Sequence, residues 1–162
     1  MNSIVVFVAQ YLFLFVILLL GLAWLNTKDK NTKVKFIVSV IIAGIIAFIL
    51  SRIASKFFYD TRPFVAQHVK PLFPHAADNG FPSDHALLTG TLTAAAYFFN
   101  KKYATGMLVL TILIGIARVW AKVHSPLDIA GGWVFGIVGA FAGYYLATWL
   151  IKKYGPKFKL AS

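Results

Sequence analysis

Residues 4–25 read IVVFVAQYLFLFVILLLGLAWL, an apolar run without a single charge. A helix must be about 20 residues long to cross a hydrocarbon core of about 30 Å, and this run is long enough. Its opening residues, Met-Asn-Ser, lack the positive charge that begins a secretory leader, so it reads as a retained membrane helix. Four more apolar stretches follow, at about residues 36–58, 84–99, 103–123 and 126–151, the second of them (84–99) short and placed directly after Pro82-Ser83. The sequence therefore predicts an all-α integral membrane bundle of about five transmembrane helices in one membrane-embedded domain, residues 1–162. The count becomes six if the long connection at residues 59–81 adds a helix. In the last stretch, Gly132, Gly136, Gly139, Ala140, Gly143 and Ala147 form a small-residue stripe that lets a neighbouring helix approach closely.

Composition supports this. Of 162 residues, 59% are hydrophobic and 13% charged, against about 45–50% and about 25% in soluble domains, which excludes an ordinary water-soluble globule and a disordered chain. Sixteen Lys and Arg against five Asp and no Glu give a formal charge of +11. In a soluble chain that excess would point to nucleic acid. Here membrane topology absorbs it, and no nucleic acid is needed. Lys28, Lys30, Lys33 and Lys35 lie between the first two stretches, Lys101 and Lys102 between the third and fourth, and Lys152, Lys153, Lys157 and Lys159 after the fifth. The positive-inside rule makes that side cytoplasmic, with the C-terminus on it and the N-terminus outside. The absence of cysteine excludes disulfides and thiolate metal sites, and five carboxylates are too few for a multi-metal carboxylate centre. No metal or cofactor is called for, and no feature sets an oligomeric state.

The other six cations, Arg52, Lys56, Arg62, Lys70, Arg118 and Lys122, fall at the opposite face with all four histidines and with Asp60, Asp78, Asp84 and Asp128. Ionisable groups at membrane depth are costly and mark function, so the chemistry belongs there. Three segments carry it: Lys56-Phe-Phe-Tyr-Asp-Thr-Arg62-Pro63, then Phe81-Pro82-Ser83-Asp84-His85, then Arg118-Val-Trp-Ala-Lys122-Val-His124-Ser125-Pro126-Leu-Asp128. In the third, Ser125-Pro126 starts a helix, with Ser as cap and Pro at the first helical position. Asp128 then falls in the first turn, where it either supports that cap or folds back to fix the tautomer of His124 and sharpen it as a nucleophile. Arg118, inside a spanning stretch, needs an anion. In the second segment Ser83 and Asp84 either cap a helix and nothing more, or present free N–H groups and a hydroxyl to a phosphate, with His85 placed as a general acid. The 59–81 connection is long and apolar enough to lie in the membrane interface; His68 and His75 have no motif around them and read as bystanders.

Together the three segments resemble the signature of the type-2 phosphatidic acid phosphatase superfamily, whose pattern is Lys-x6-Arg-Pro, Pro-Ser-Gly-His and Ser-Arg-x5-His-x3-Asp. Arg118, His124 and Asp128 keep the third motif's spacing; Pro82, Ser83 and His85 keep the second, with Asp84 in place of Gly. Five residues separate Lys56 from Arg62 instead of six, and Arg52, one turn earlier, is the other candidate for that cation. Ala117 occupies the usual Ser position. The Pro-Ser-Asp-His variant is similar to the branch of undecaprenyl-diphosphate phosphatases linked to bacitracin resistance.

That resemblance implies a membrane lipid phosphatase acting on a polyprenyl diphosphate at the extracytoplasmic face of the cell membrane. His124 would be the nucleophile, Asp128 its support and His85 the acid, with Lys56, Arg62, Ser83 and Arg118 holding the phosphate. Asp84 is an extra acid to be protonated or paired, and Lys122 is a candidate partner for it or for a second phosphate. Phosphatidic acid or phosphatidylglycerol phosphate would use the same residues. A non-catalytic lipid carrier would need the cations but not the His124–Asp128 pair. A haloperoxidase of the same superfamily is disfavoured by size and hydropathy, and a purely structural membrane protein has no use for such a cluster.

Overall fold

The structure, a computed structural model, describes residues 2–154; Lys157 and Lys159 lie outside the described residues. Seven helices follow one another: α1 Asn2–Tyr11, α2 Phe13–Leu25, α3 Lys30–Phe57, α4 Pro63–Ala66, α5 Asp84–Tyr97, α6 Lys101–Trp120 and α7 Pro126–Tyr154. Polar caps set several starts. Asp29 accepts from the Thr32 N–H at 2.6 Å, Asn100 from Tyr103 at 3.4 Å, and Ser125 Oγ from Asp128 at 3.2 Å.

The bundle is all-helical as expected, with three to four candidate membrane spans among the described residues. α3, α6 and α7 are each long and apolar enough to cross a membrane. The first apolar run is not one rod but α1 and α2, bent by 45° at Leu12, and the pair counts as a fourth span if it is taken as one. The stretch at 84–99 forms α5, whose 14 residues rise only about 21 Å. α5 is the inner helix: Ala86, Leu87, Thr89, Gly90, Thr91, Leu92, Thr93, Ala95 and Ala96 are all buried. Two of its threonines satisfy themselves locally, Thr89 Oγ1 donating to His85 O and Thr91 Oγ1 to Leu87 O, while the Thr93 hydroxyl pairs with that of Thr111 on α6 at 2.9 Å. The 59–81 connection adds no spanning helix, only the single turn α4, so the six-helix alternative does not hold.

α7 packs on α3 and α5 along its glycine stripe. A Cβ on Gly143 would stand 2.6 Å from the Ala43 nitrogen, and one on Gly136 2.6 Å from that of Thr91. Between lipid-embedded helices there is little hydrophobic gain, so close van der Waals fit of this kind holds them together. At one end of the bundle lysines stack on aromatic rings, Lys33 on Trp24, Lys35 on Tyr144 and Lys101 on Tyr97, as in an interfacial belt. At the other end the connection between α3 and α5 folds over the α6–α7 turn. Phe64 N–H donates to Lys122 O and Leu72 N–H to Ala121 O, while Phe73 is buried with Ala9, Ala117 and Val123. That cover closes the site.

Candidate active site

His124 sits in the turn between α6 and α7 and is 2% exposed. Its Nδ1 lies 3.1 Å from Asp128 Oδ2, and the same oxygen accepts the Ser125 N–H at 2.9 Å. The two readings of Asp128 are therefore one arrangement: the cap fixes the carboxylate that meets the imidazole. Arg118 Nη2 stands 3.1 Å from Nε2, and Arg62 Nη1 lies 3.3 Å from Nε2 and 3.5 Å from Nδ1. A guanidinium can only donate, so Nε2 is the acceptor and the proton sits on Nδ1, shared with Asp128. Burial pushes the His124 pKa down, and the charges of Arg118 and Arg62 push it further, against the opposing hydrogen bond of Asp128. The ring is neutral at neutral pH with its free lone pair among cations.

Both arginines are themselves held. Arg118, in the last turn of α6, donates through Nη1 to Ala9 O at 3.0 Å, a carbonyl in the final turn of α1 where intrahelical partners run out. Arg62, just before α4, donates to Val123 O at 2.8 Å and to Asp78 Oδ1 at 2.8 Å. The Arg62 partner keeps the Asp78 carboxyl below its usual range in spite of some burial that acts the other way.

A cavity of about 340 Å³ opens in front of these groups. Arg52, Arg62, Asp84, His85, Arg118 and His124 all line it, with Asp128 fully buried behind His124. His85, in the first turn of α5, has the edge of Phe13 against its ring, with centroids 5.2 Å apart. Ser83 occupies the N-cap position of α5 but caps nothing; its hydroxyl is buried without a partner between two residues that line the cavity. Such an orphan is a donor in reserve.

Two expected residues stand elsewhere. Lys56 is exposed and does not line the cavity; Arg52 does. Four residues along a helix is about 6 Å, which carries Lys56 beyond the rim. Lys122 is exposed in a groove between α6 and α7, with Trp120 and Trp133, and is not the partner of Asp84. That partner is Arg52, through Nη2.

Three cavity residues escaped the sequence reading. His75 is no bystander: its Nε2 lies 3.2 Å from Arg118 Nη2 and its ring meets that of His124 edge-on. Burial and the nearby Arg62 and Arg118 lower its pKa, so it too is neutral. Asp78 anchors Arg62. Asn79 ties the cover down, its Oδ1 accepting from Asp60 and Phe81 N–H groups and its Nδ2 donating to Ser55 O and Phe58 O. The Asn79-Gly80 pair is a turn signal that could have drawn attention to this point. Among the described residues no group of three His, Cys, Asp or Glu side chains could hold a metal ion.

Fold and cavity thus define a helical membrane protein that offers an anion two buried arginines beside an oriented, neutral histidine. The model of the PAP2 superfamily matches residues 32–152, and the chain belongs to that superfamily. Over 148 residues it is 34% identical to the bacitracin transport permease protein BcrC of Bacillus licheniformis, covering 91% of this chain and 72% of the relative. It is 33% identical over 143 residues to undecaprenyl-diphosphatase BcrC of Bacillus subtilis (strain 168), covering 87% and 72%. The crystal structure of Aquifex aeolicus LpxE shares the fold, with a TM-score of 0.69 at 24% identity over 88% of this chain and 86% of that one. The superfamily match begins after α1 and α2, although Ala9 of α1 holds Arg118.

Proposed function

We propose that this chain is a membrane lipid phosphatase that hydrolyses undecaprenyl or a related polyprenyl diphosphate to the monophosphate and inorganic phosphate, recycling a carrier lipid for cell-wall synthesis. The observation that carries the reading is the environment of His124: Nδ1–H on Asp128, Nε2 lone pair facing Arg62 and Arg118. A relative at 33% identity named an undecaprenyl-diphosphatase supports the substrate.

In the proposed reaction the terminal phosphoryl group takes over the Arg62 and Arg118 donors that now engage Nε2, which frees the lone pair. Nε2 attacks phosphorus in line, a P–N bond forms, and the bond from phosphorus to the bridging oxygen breaks. His85, which takes up a proton as the anionic diphosphate enters beside it, gives that proton to the oxygen, and the lipid monophosphate leaves. His85 then takes a proton from water as the water oxygen attacks the phosphohistidine, releasing phosphate and restoring His124. The arginines and the Ser83 hydroxyl stabilise charge on the equatorial oxygens throughout. We place the cavity at the extracytoplasmic face of the cell membrane, with the C-terminus cytoplasmic.

The name of the Bacillus licheniformis relative, a transport permease, raises a second reading, a lipid carrier without turnover. A carrier needs the cations but has no use for a carboxylate that fixes one histidine tautomer, and that pair favours the enzyme. The deciding experiment is phosphate release by detergent-purified protein with excess chelator, from undecaprenyl diphosphate, undecaprenyl monophosphate and phosphatidic acid. Preferential release from the diphosphate, lost in His124→Ala, is expected. Equal or better release from phosphatidic acid moves the function to phospholipid metabolism, and no release by folded protein leaves the carrier.

A further inference from the structure

The three arginines lining the cavity stand at different depths. Arg118 is 3% exposed and the Arg62 side chain 7%, whereas the Arg52 side chain is 44% exposed at the rim. Arg52 reaches across from α3 to Asp84 in the first turn of α5, and its Nε lies 3.3 Å from Ser51 Oγ. The Asp84 side chain is 73% exposed. An ion pair this open contributes little to stability, so holding the helices together is a poor account of it. A carboxylate at the mouth of an anion site is also a liability for binding unless it has a task.

Depth assigns that task. A single phosphoryl group on His124 uses the buried arginines and never reaches the rim. A diphosphate is longer by one phosphate, and its second, lipid-linked phosphate must lie outward, toward the mouth. We propose that Arg52 is the ligand for the lipid-linked phosphate of a diphosphate headgroup, and that Asp84 parks its guanidinium across the mouth until that phosphate displaces it. The pair then distinguishes diphosphates from monophosphates. This deepens the phosphatase reading and rests on it for the placement of the terminal phosphate. It also gives a use to both departures from the superfamily pattern, the displaced first-motif cation and the Asp in place of Gly.

The test measures binding of inorganic phosphate and of pyrophosphate to detergent-purified protein by calorimetry, alongside turnover of undecaprenyl diphosphate. In Arg52→Gln/Asp84→Asn, which removes both charges together, pyrophosphate binding is expected to weaken about 10- to 100-fold while phosphate binding is unchanged, as for loss of one charge-assisted hydrogen bond. Asp84→Asn alone frees the guanidinium and lowers the KM for undecaprenyl diphosphate with kcat unaltered, and Arg52→Lys restores part of the pyrophosphate preference. Equal weakening of both anions in the double variant overturns the proposal by placing Arg52 at the terminal phosphate. No change in either overturns it by leaving the pair without a binding role. A wild-type protein that binds pyrophosphate in preference to phosphate but releases nothing from any lipid instead removes the phosphatase reading, and the two failures are distinct.

Discussion

Gly80 and Asp128 meet where a side chain would otherwise be: a Cβ on Gly80 would stand 2.7 Å from Asp128 Oδ2, the oxygen that accepts from His124. The same Cβ would lie 3.2 Å from Asp60 O, which accepts the Gly80 N–H, so the loop has no free direction in which to retreat. The glycine is there for space. Gly80→Ala is expected to push the carboxylate off the imidazole and lower kcat about 10-fold or more, within the range that a misplaced orienting group costs. Phosphate release and thermal unfolding in detergent, measured together, separate this from simple unfolding. Unchanged kcat in a folded Gly80→Ala protein would refute a role for the carboxylate's position.

The His124 environment sets a pH dependence with a definite sign. Burial, Arg118 and Arg62 lower its pKa and the Asp128 hydrogen bond raises it. The active form is neutral, so the acid limb of kcat/KM lies below the ordinary histidine value of about 6.5. Arg118→Gln removes a charge that opposes protonation and moves the limb to higher pH. Asp128→Asn removes a partner that favours protonation and moves it to lower pH. Profiles of kcat/KM for the two variants should shift in opposite directions, each on a reduced rate; shifts in the same direction would mean that another group governs the limb.

Lys56 and Arg62 belong to the same short segment but not to the same cavity. Lys56→Ala is expected to leave kcat/KM close to wild type. Arg62→Ala removes a donor from the oxyanion-binding group and should lower it about 100-fold, as loss of one such donor does elsewhere. Steady-state rates in identical detergent decide it. A large loss in Lys56→Ala would bring Lys56 into contact with substrate despite its place outside the rim.

The α3–α7 seam predicts a stability effect remote from chemistry. Gly143→Val places its side chain against Ala43 and Ser39 backbone, with a Cβ 2.6 Å from the Ala43 nitrogen. Overpacking of this kind costs about 1–3 kcal/mol or more where backbone must move, and it should lower the Tm in detergent. Gly21→Ala, where a Cβ meets nothing within 4 Å, is the matched control and should leave the Tm in place.

How much of this could be read beforehand depended on the range of the interaction. The apolar stretches and the Arg118–His124–Asp128 spacing were legible because bilayer thickness and the helical period act locally. The bend at Leu12 left no clear mark, since residues 4–25 carry no charge, Gln10 is their one amide side chain and no Pro stands at the break. Short α5 was read as a span because its composition is apolar, and its 14 residues lead from the cavity end of the bundle to the end where Lys101 stacks on Tyr97. His75, Asp78 and Asn79 lie in a connection whose placement is fixed by contacts such as Arg62–Asp78, sixteen residues apart, and no motif registers that distance. Lys56 and Arg52 differ by one helical turn, which spacing from Arg62 could not resolve; of the two, Arg52 lines the cavity.

The bond from Arg118 to Ala9 joins residues 109 positions apart, and Asp128 lies on the last helix. Since the chain is made from its N-terminus, the carbonyl is made 109 residues before its guanidinium, and the imidazole gains its carboxylate later still. A nascent chain stopped before α7 therefore has membrane segments but no working centre. Catalytic competence therefore waits for α7, the helix that brings Asp128 to His124.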